Sequence, residues 1–172
     1  MSTIRRKSRR LMIGNIAVGG DAPITVQTMT KTDTRDVEAT REDIKRLKIA
    51  GCDIIRLAVP DMAAAEALAR IVPGSPMPIV ADIHFDHLLA LKAMEGGVHA
   101  LRINPGNLRD AGKIREVVQE AKNCHIPIRI GVNAGSLDPA MTQKHGGVTA
   151  KALAESALQE ISLLEKEGFS DI

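Results

Sequence analysis

Apolar and polar positions along this chain follow two rhythms. Short runs with a period near two, such as Asp53–Val59, Pro78–Phe85 and Ala100–Asn104, read as strands. Longer stretches between them have a period near 3.6 and read as helices. In Asp110–Lys122, for example, Ile114, Val117, Val118 and Ala121 share one side. Taken in order, Leu11–Val18 predicts a short strand and turn that closes one barrel end, and Ile24–Met29 predicts the first barrel strand. After the polar loop Thr30–Asp36, Thr40 and Asp43 are spaced as a capping box for a helix that Gly51 stops. Strand Asp53–Val59 ends at Pro60-Asp61, which caps the Ala-rich helix Met62–Ile71. Strand Pro78–Phe85, helix Asp86–Glu95 and strand Ala100–Asn104 follow. After the helix Asp110–Lys122 come strand Pro127–Asn133, the loop Ala134–Gly147 and a helix over Thr149–Glu167. The stripe of that last helix is Leu153, Ala157, Leu158, Ile161 and Leu164.

Strand and helix thus alternate five times, which implies an α/β protein with a parallel sheet. The helix exit Ala50-Gly51-Cys52-Asp53-Ile54 resembles Glu167-Gly168-Phe169-Ser170-Asp171-Ile172. A strand follows the first, and the chain stops at the second. The expectation is the front of a longer protein: parallel (β/α) units of a TIM-type barrel, truncated after about five of eight units. Residues 1–23 form an arm and hairpin, and 24–172 the partial barrel. The first and fifth strands would then be open edges that favour association.

An open doubly wound sheet is the other architecture built from such repeats. Its central strands are covered on both faces and read as continuous apolar runs. Here polar residues alternate late in the strands: Asp82 with His84, Arg102 with Asn104, Arg129 with Asn133. Nor does a Gly-x-Gly-x-x-Gly follow the first strand. Alternation at strand ends fits side chains that point into a barrel mouth.

Composition narrows the chemistry. Of 172 residues 44% are hydrophobic but only 1% aromatic, so the core is aliphatic and the stacked rings of single-strand nucleic-acid binding are missing. Arg5, Arg6, Lys7, Arg9 and Arg10 read as a solvated arm, and the net charge of +2 selects no partner. No secretory or membrane-spanning apolar run is present, and Cys52 and Cys124 stand alone, which fits reduced thiols in a cytoplasmic protein. Both cysteines precede strands, at the barrel end away from chemistry, and read as buried and inert. His87, His99, His125 and His145 show no ligand spacing and read as surface or loop residues; Met29, Met62, Met77 and Met94 read as core filling.

Barrel sites lie at the C-terminal strand ends. That places Arg56, Asp82, His84, Arg102, Asn104, Arg129 and Asn133 around one mouth. Guanidiniums stay charged and bind phosphate through paired N–H groups. Each arginine could equally pair with a carboxylate in the sheet, but three at matched positions favour one shared anion. Asp82 and His84 share a face and are candidates for proton transfer or for a structural pair; no third metal ligand accompanies them. Asn133-Ala134-Gly135-Ser136 reads as a backbone phosphate cradle or an ordinary turn.

The segments VGGDAPITVQTMTKTD at Val18–Asp33, AGCDIIRLAVPD at Ala50–Asp61, PIVADIHFD at Pro78–Asp86, ALRINPGN at Ala100–Asn107 and IRIGVNAGSL at Ile128–Leu137 closely resemble the 4-hydroxy-3-methylbut-2-enyl diphosphate synthase family. The resemblance implies a TIM-type barrel of a non-mevalonate isoprenoid oxidoreductase. That enzyme reductively opens 2-C-methyl-D-erythritol 2,4-cyclodiphosphate with electrons from flavodoxin or ferredoxin. It implies substrate binding by Arg56, Asp82, His84, Arg102, Asn104, Arg129, Asn133 and Ser136, a homodimer, and a [4Fe–4S] cluster held by a C-terminal domain absent from this chain. Neither Cys52 nor Cys124 matches a cluster ligand, so the chain alone is expected to be inactive. The alternatives are a pterin-binding barrel of the dihydropteroate synthase kind and a non-catalytic anion-binding half-barrel.

Overall fold

Each helix between the sheet strands opens at an aspartate that accepts its otherwise free N–H groups. In the computed structural model, which describes residues 7–84, 86–104 and 110–172 without the Ser136 side chain, Asp36 accepts from Ala39 at the start of α1, Val37–Ile49. Asp61 accepts from Ala64 at α2, Met62–Ile71, and Asp86 from Leu88 at α3, His87–Glu95. Asp110 accepts from Gly112 at α4, Ala111–Cys124, which ends at His125 in the left-handed conformation (φ 56°). Asp138 and Thr149 cap α5, Pro139–Lys144, and α6, Ala150–Lys166.

The strands are β1 Leu11–Ile13, β2 Ile16–Val18, β3 Gln27–Met29, β4 Ile54–Val59, β5 Ile79–Ile83, β6 Ala100–Ile103 and β7 Ile128–Ile130. The first two form an antiparallel hairpin. Gly14 takes the left-handed φ of +57° at the first central position of its two-residue turn, which suits glycine. A Cβ there would also meet His99 Cδ2 at 2.7 Å. The other five strands form one parallel sheet in chain order, β3-β4-β5-β6-β7.

The two faces of this sheet differ. Ile55, Leu57, Val59, Ile79, Ala81, Ile83, Leu101, Ile103 and Ile128 pack against Ile44, Leu68, Ile71, Met94, Val118 and Leu164 of the helices. This aliphatic layer is the main core, and each fully buried Ile or Leu contributes about 1.5–3 kcal/mol. On the opposite face Ile54, Val80 and Ala100 form a small apolar patch, covered by Ile13, Ile16 and Val18 of the hairpin. The hairpin thus seals the N-terminal part of that face and leaves its C-terminal part to polar residues.

Several expectations are revised. Thr40 and Asp43 do not cap α1: Asp36 does, one turn earlier. Thr40 Oγ1 instead donates to Asp33 O and shares a hydrogen bond with Thr32 Oγ1, while Asp43 accepts from Lys31 N, so both hold the loop after β3 onto the helix. The loop Ala134–Gly147 contains the 3-10 turn Ala134–Ser136 and α5. In α6 the buried residues are Ala152, Ser156 and Leu164, and Leu158 is 66% exposed. The β7 edge is not fully open, because Ile128 N donates to Asp171 O at 2.9 Å. Cys124 is exposed while Cys52 is buried. Met77 and Met94 are core, but Met62 is exposed. His145 lies in the turn after α5, as expected of a loop residue, with its ring against Glu155 (2.8 Å), whereas His87 opens α3 and is mostly buried between Asp86 and Glu116. No described helix is long and apolar enough to cross a membrane.

Candidate functional site

Register sets the site. Neighbours in a parallel sheet share a face, so the pairs Asp82↔Arg102 and Arg102↔Arg129 put these three side chains in one row across β5, β6 and β7. Arg56 pairs with Val80 and lies one pleat toward the hairpin on the same face. Gln27 and Met29 of β3 join that face through Ile54 and Arg56.

That face is concave. Arg129 Nη1 donates to Gln27 Oε1 at 2.9 Å, from the last strand of the sheet to the first. In a flat sheet, four strand spacings of about 4.8 Å would hold these strands about 19 Å apart, beyond the reach of the two side chains. The sheet has therefore curled as a barrel wall curls. A cavity of about 600 Å³ lies on the hairpin side of this bridge, with Gln27, Ile54, Val80 and Arg129 in its wall. Arg56, Asp82 and Arg102 do not line it.

Asp82 is the hub of the polar row. It is 3% exposed, and Arg102 Nη1 donates to its Oδ1 at 3.0 Å. Arg56 Nε approaches its Oδ2 at 3.3 Å without hydrogen-bond alignment, so this Nε is a buried donor with no bonded acceptor. Arg56 Nη2 turns to Met29 Sδ at 3.4 Å. His84, half exposed, brings Nε2 to 3.4 Å from Asp82 Oδ1 and 3.5 Å from Arg102 Nη1. Arg102 is buried, and its Nη2 also donates to Gly131 O at 3.3 Å. The carboxylate expected to neutralise each arginine is thus one carboxylate shared by two, and Arg129 rests on a neutral amide. Among the described contacts of this row, two guanidiniums share one acid and the third rests on a neutral amide, which leaves the row positive.

Asn104 is buried at the end of β6, two residues beyond Arg102. Asn133 is exposed ahead of the turn Ala134–Ser136. Ser136 belongs to that turn, its side chain outside the described residues, as are Phe85 and Pro105-Gly106-Asn107. Nearby, Arg35 binds Asp33 at 2.5 Å and Asp61 at 3.1 Å and pins the loop after β3 to the start of α2. The Arg35 hydrogen bond holds the Asp33 carboxyl down to about 2.

Two members of the arrangement lie outside the residues that the sequence marks as a site. Gln27 is one polar residue in a short strand, and its partner lies 102 residues away. Gly131 lies two residues after Arg129 on the same face, and a glycine inside a strand pattern is a known mark of close backbone approach.

The family model for the GcpE TIM-barrel domain matches residues 8–172. The chain belongs to this family. A GcpE-type barrel accounts for the five parallel units, the curled sheet and the polar strand ends together. Curated relatives named 4-hydroxy-3-methylbut-2-en-1-yl diphosphate synthase (flavodoxin) include that of Maridesulfovibrio salexigens, 57% identical over 96% of this chain and 46% of that protein. The Geobacter sulfurreducens protein is 54% identical over 98% of this chain and 48% of its own length. The chain therefore spans about half the length of the curated relatives it matches. Among solved structures, Xanthomonas albilineans dihydropteroate synthase with 4-aminobenzoic acid aligns with a TM-score of 0.64 at 13% identity, over 94% of this chain and 63% of that one. The Vibrio fischeri 7,8-dihydropteroate synthase aligns at 0.63 and 11% identity, over 95% and 63%. At such identities the likeness shows a shared fold alone.

Proposed function

We propose that this chain is the substrate-cradling part of a 4-hydroxy-3-methylbut-2-enyl diphosphate synthase, and that Arg56, Arg102 and Arg129 hold the diphosphate of 2-C-methyl-D-erythritol 2,4-cyclodiphosphate. The observation that carries this is the shared carboxylate. Two guanidiniums on Asp82 and a third on Gln27 leave unneutralised positive charge at the C-terminal strand ends, where barrel enzymes bind substrate. The names of relatives 54–57% identical supply the substrate class. On this reading Asp82 orients the arginines and fixes their donors before the anion arrives, which lowers the cost of ordering them on binding. Asn104, Asn133 and Ser136 supply neutral donors, and His84 stands beside Asp82 as the candidate for proton transfer.

The residues described here do not fit the iron–sulfur cluster that the family implies. Cys52 is buried and donates its Sγ to Ile54 O, while Cys124 is exposed at the end of α4. No group of three His, Cys, Asp or Glu among the described residues is placed to hold a metal ion. The cluster ligands are assigned, in the same proposal, to the length of the relatives that this chain does not span. Reduction by flavodoxin or ferredoxin and assembly as a homodimer belong there too. No redox step is derived from this chain.

Thermal denaturation of the full-length protein with the cyclodiphosphate tests the reading. The ligand is expected to raise the midpoint of the wild type and not of Arg102→Ala. Equal shifts in both proteins would overturn it. A pterin pyrophosphate that protects while the cyclodiphosphate does not would favour the pterin-binding alternative.

A further inference from the structure

Arg102 and Arg129 are direct register partners on one face of neighbouring strands. Like charges placed so at about 4.8 Å strand spacing destabilise a sheet. The structure parts them. Arg129 crosses the concave face to Gln27, while Arg102 lies between Asp82 Oδ1 and the carbonyl of Gly131. A Cβ at position 131 would fall inside the Arg102 guanidinium, on top of Nε, Cζ and Nη2. The backbone of Gly131 is not among the positive-φ residues, so no turn demands a glycine there. Its N–H donates to Ile103 O at 2.8 Å, which fixes the backbone against withdrawal. The missing side chain is what the arginine occupies.

We propose that Gly131 is a positioning residue. With Asp82 it forms a socket that seats the Arg102 guanidinium at a fixed depth and keeps it clear of Arg129. The socket stands on its own geometry. Its service to anion binding rests on the function proposed above.

The test compares full-length wild type, Gly131→Ala and Gly74→Ala. A Cβ at Gly74 meets nothing nearer than the Arg41 guanidinium at 3.7 Å, so that variant controls for the added methyl. Phenylglyoxal labelling mapped by mass spectrometry reads the socket whether or not an anion binds. Arg102 is expected to react at least about tenfold faster in Gly131→Ala than in the wild type or Gly74→Ala, because its N–H groups lose their seat. An unchanged Arg102 rate in a folded Gly131→Ala would overturn the socket. If Gly131→Ala does not fold, Arg102→Ser is compared with Arg102→Ser plus Gly131→Ala: with the guanidinium gone the added methyl is expected to cost nothing further, and a double variant clearly less stable than Arg102→Ser would likewise overturn it. Calorimetry with inorganic pyrophosphate reads the service to anion binding, with at least about tenfold weaker binding expected in Gly131→Ala. Faster Arg102 labelling with unchanged pyrophosphate affinity would confirm the socket and refute the role of Arg102 as an anion ligand. Absence of pyrophosphate binding by the wild type would count against the anion reading alone, with the labelling still deciding the socket.

Discussion

Replacing Asp82 by leucine removes the hub of the polar row while keeping a side chain of similar size. Arg102 stays charged at any accessible pH and is 8% exposed, so the substitution strands a buried cation. Breaking a buried pair in this way costs about 3–5 kcal/mol. Arg56, with 28% of its side chain exposed, keeps part of its hydration and adds little. Against a total stability of about 5–15 kcal/mol the loss is large. With a urea dependence of about 2 kcal/mol per molar, the unfolding midpoint is expected to fall by about 1.5–2.5 M. Adding Arg102→Met removes the stranded charge, and exchanging both partners of a buried pair for apolar groups is often near neutral. The double variant is therefore expected to be more stable than Asp82→Leu by at least about 2 kcal/mol. Urea titration followed by circular dichroism checks both values. A single variant within about 1 kcal/mol of wild type, or a double variant that loses the sum of the two single changes, would refute the hub.

Three further outcomes follow from other parts of the molecule. Leu57 is fully buried in the aliphatic layer, and Leu57→Ala is expected to cost about 2–5 kcal/mol in urea unfolding; a loss below about 1 kcal/mol would mean the layer collapses around the gap. His99 accepts the Ile79 N–H through Nδ1 at 3.1 Å, and burial holds its pKa below the usual histidine value of 6.5. Below that value the unfolded chain binds a proton that the folded one resists, so this contribution is intact above it and is lost as pH falls toward the lowered folded value. Between about pH 7.5 and 5.5 the wild type is expected to lose more stability than His99→Gln, and equal losses would contradict the assignment. A thiol reagent at neutral pH is expected to label Cys124 before Cys52, and more slowly than a free thiol, because partial burial and the Glu120 hydrogen bond hold the Cys124 thiol up. Simultaneous labelling of both would contradict the buried seat of Cys52.

What the sequence shows directly is what depends on neighbours in the chain. Asp61, Asp86 and Thr149 signal their helices because a cap acts within one turn. Thr40 and Asp43 share the spacing of a cap but serve the loop after β3, since Asp36 stands one turn ahead of them. The signal for α5 was present in Asp138-Pro139, an N-cap followed by proline at the first helical position, but it sits in a glycine-rich loop. The stripe of α6 favoured Leu158 because leucine outweighs alanine and serine in any hydrophobic reading. Packing instead buries the smaller Ala152, which sits with Leu137 and Met141, and Ser156. Alternation put Asp82, Arg102 and Arg129 on one face correctly. Which of them pair depends on register and curl, so the shared carboxylate, the Gln27 bridge and the seat at Gly131 are visible only in three dimensions.

The proposed function requires the arginines at the strand ends to act together on one diphosphate. Isothermal titration of the cyclodiphosphate into full-length wild type, Arg56→Ala, Arg102→Ala and Arg129→Ala tests this most directly. Each lost charged hydrogen bond is worth about 1.5–3 kcal/mol, so each variant is expected to bind about 10- to 150-fold more weakly. Wild-type affinity retained by all three would contradict it.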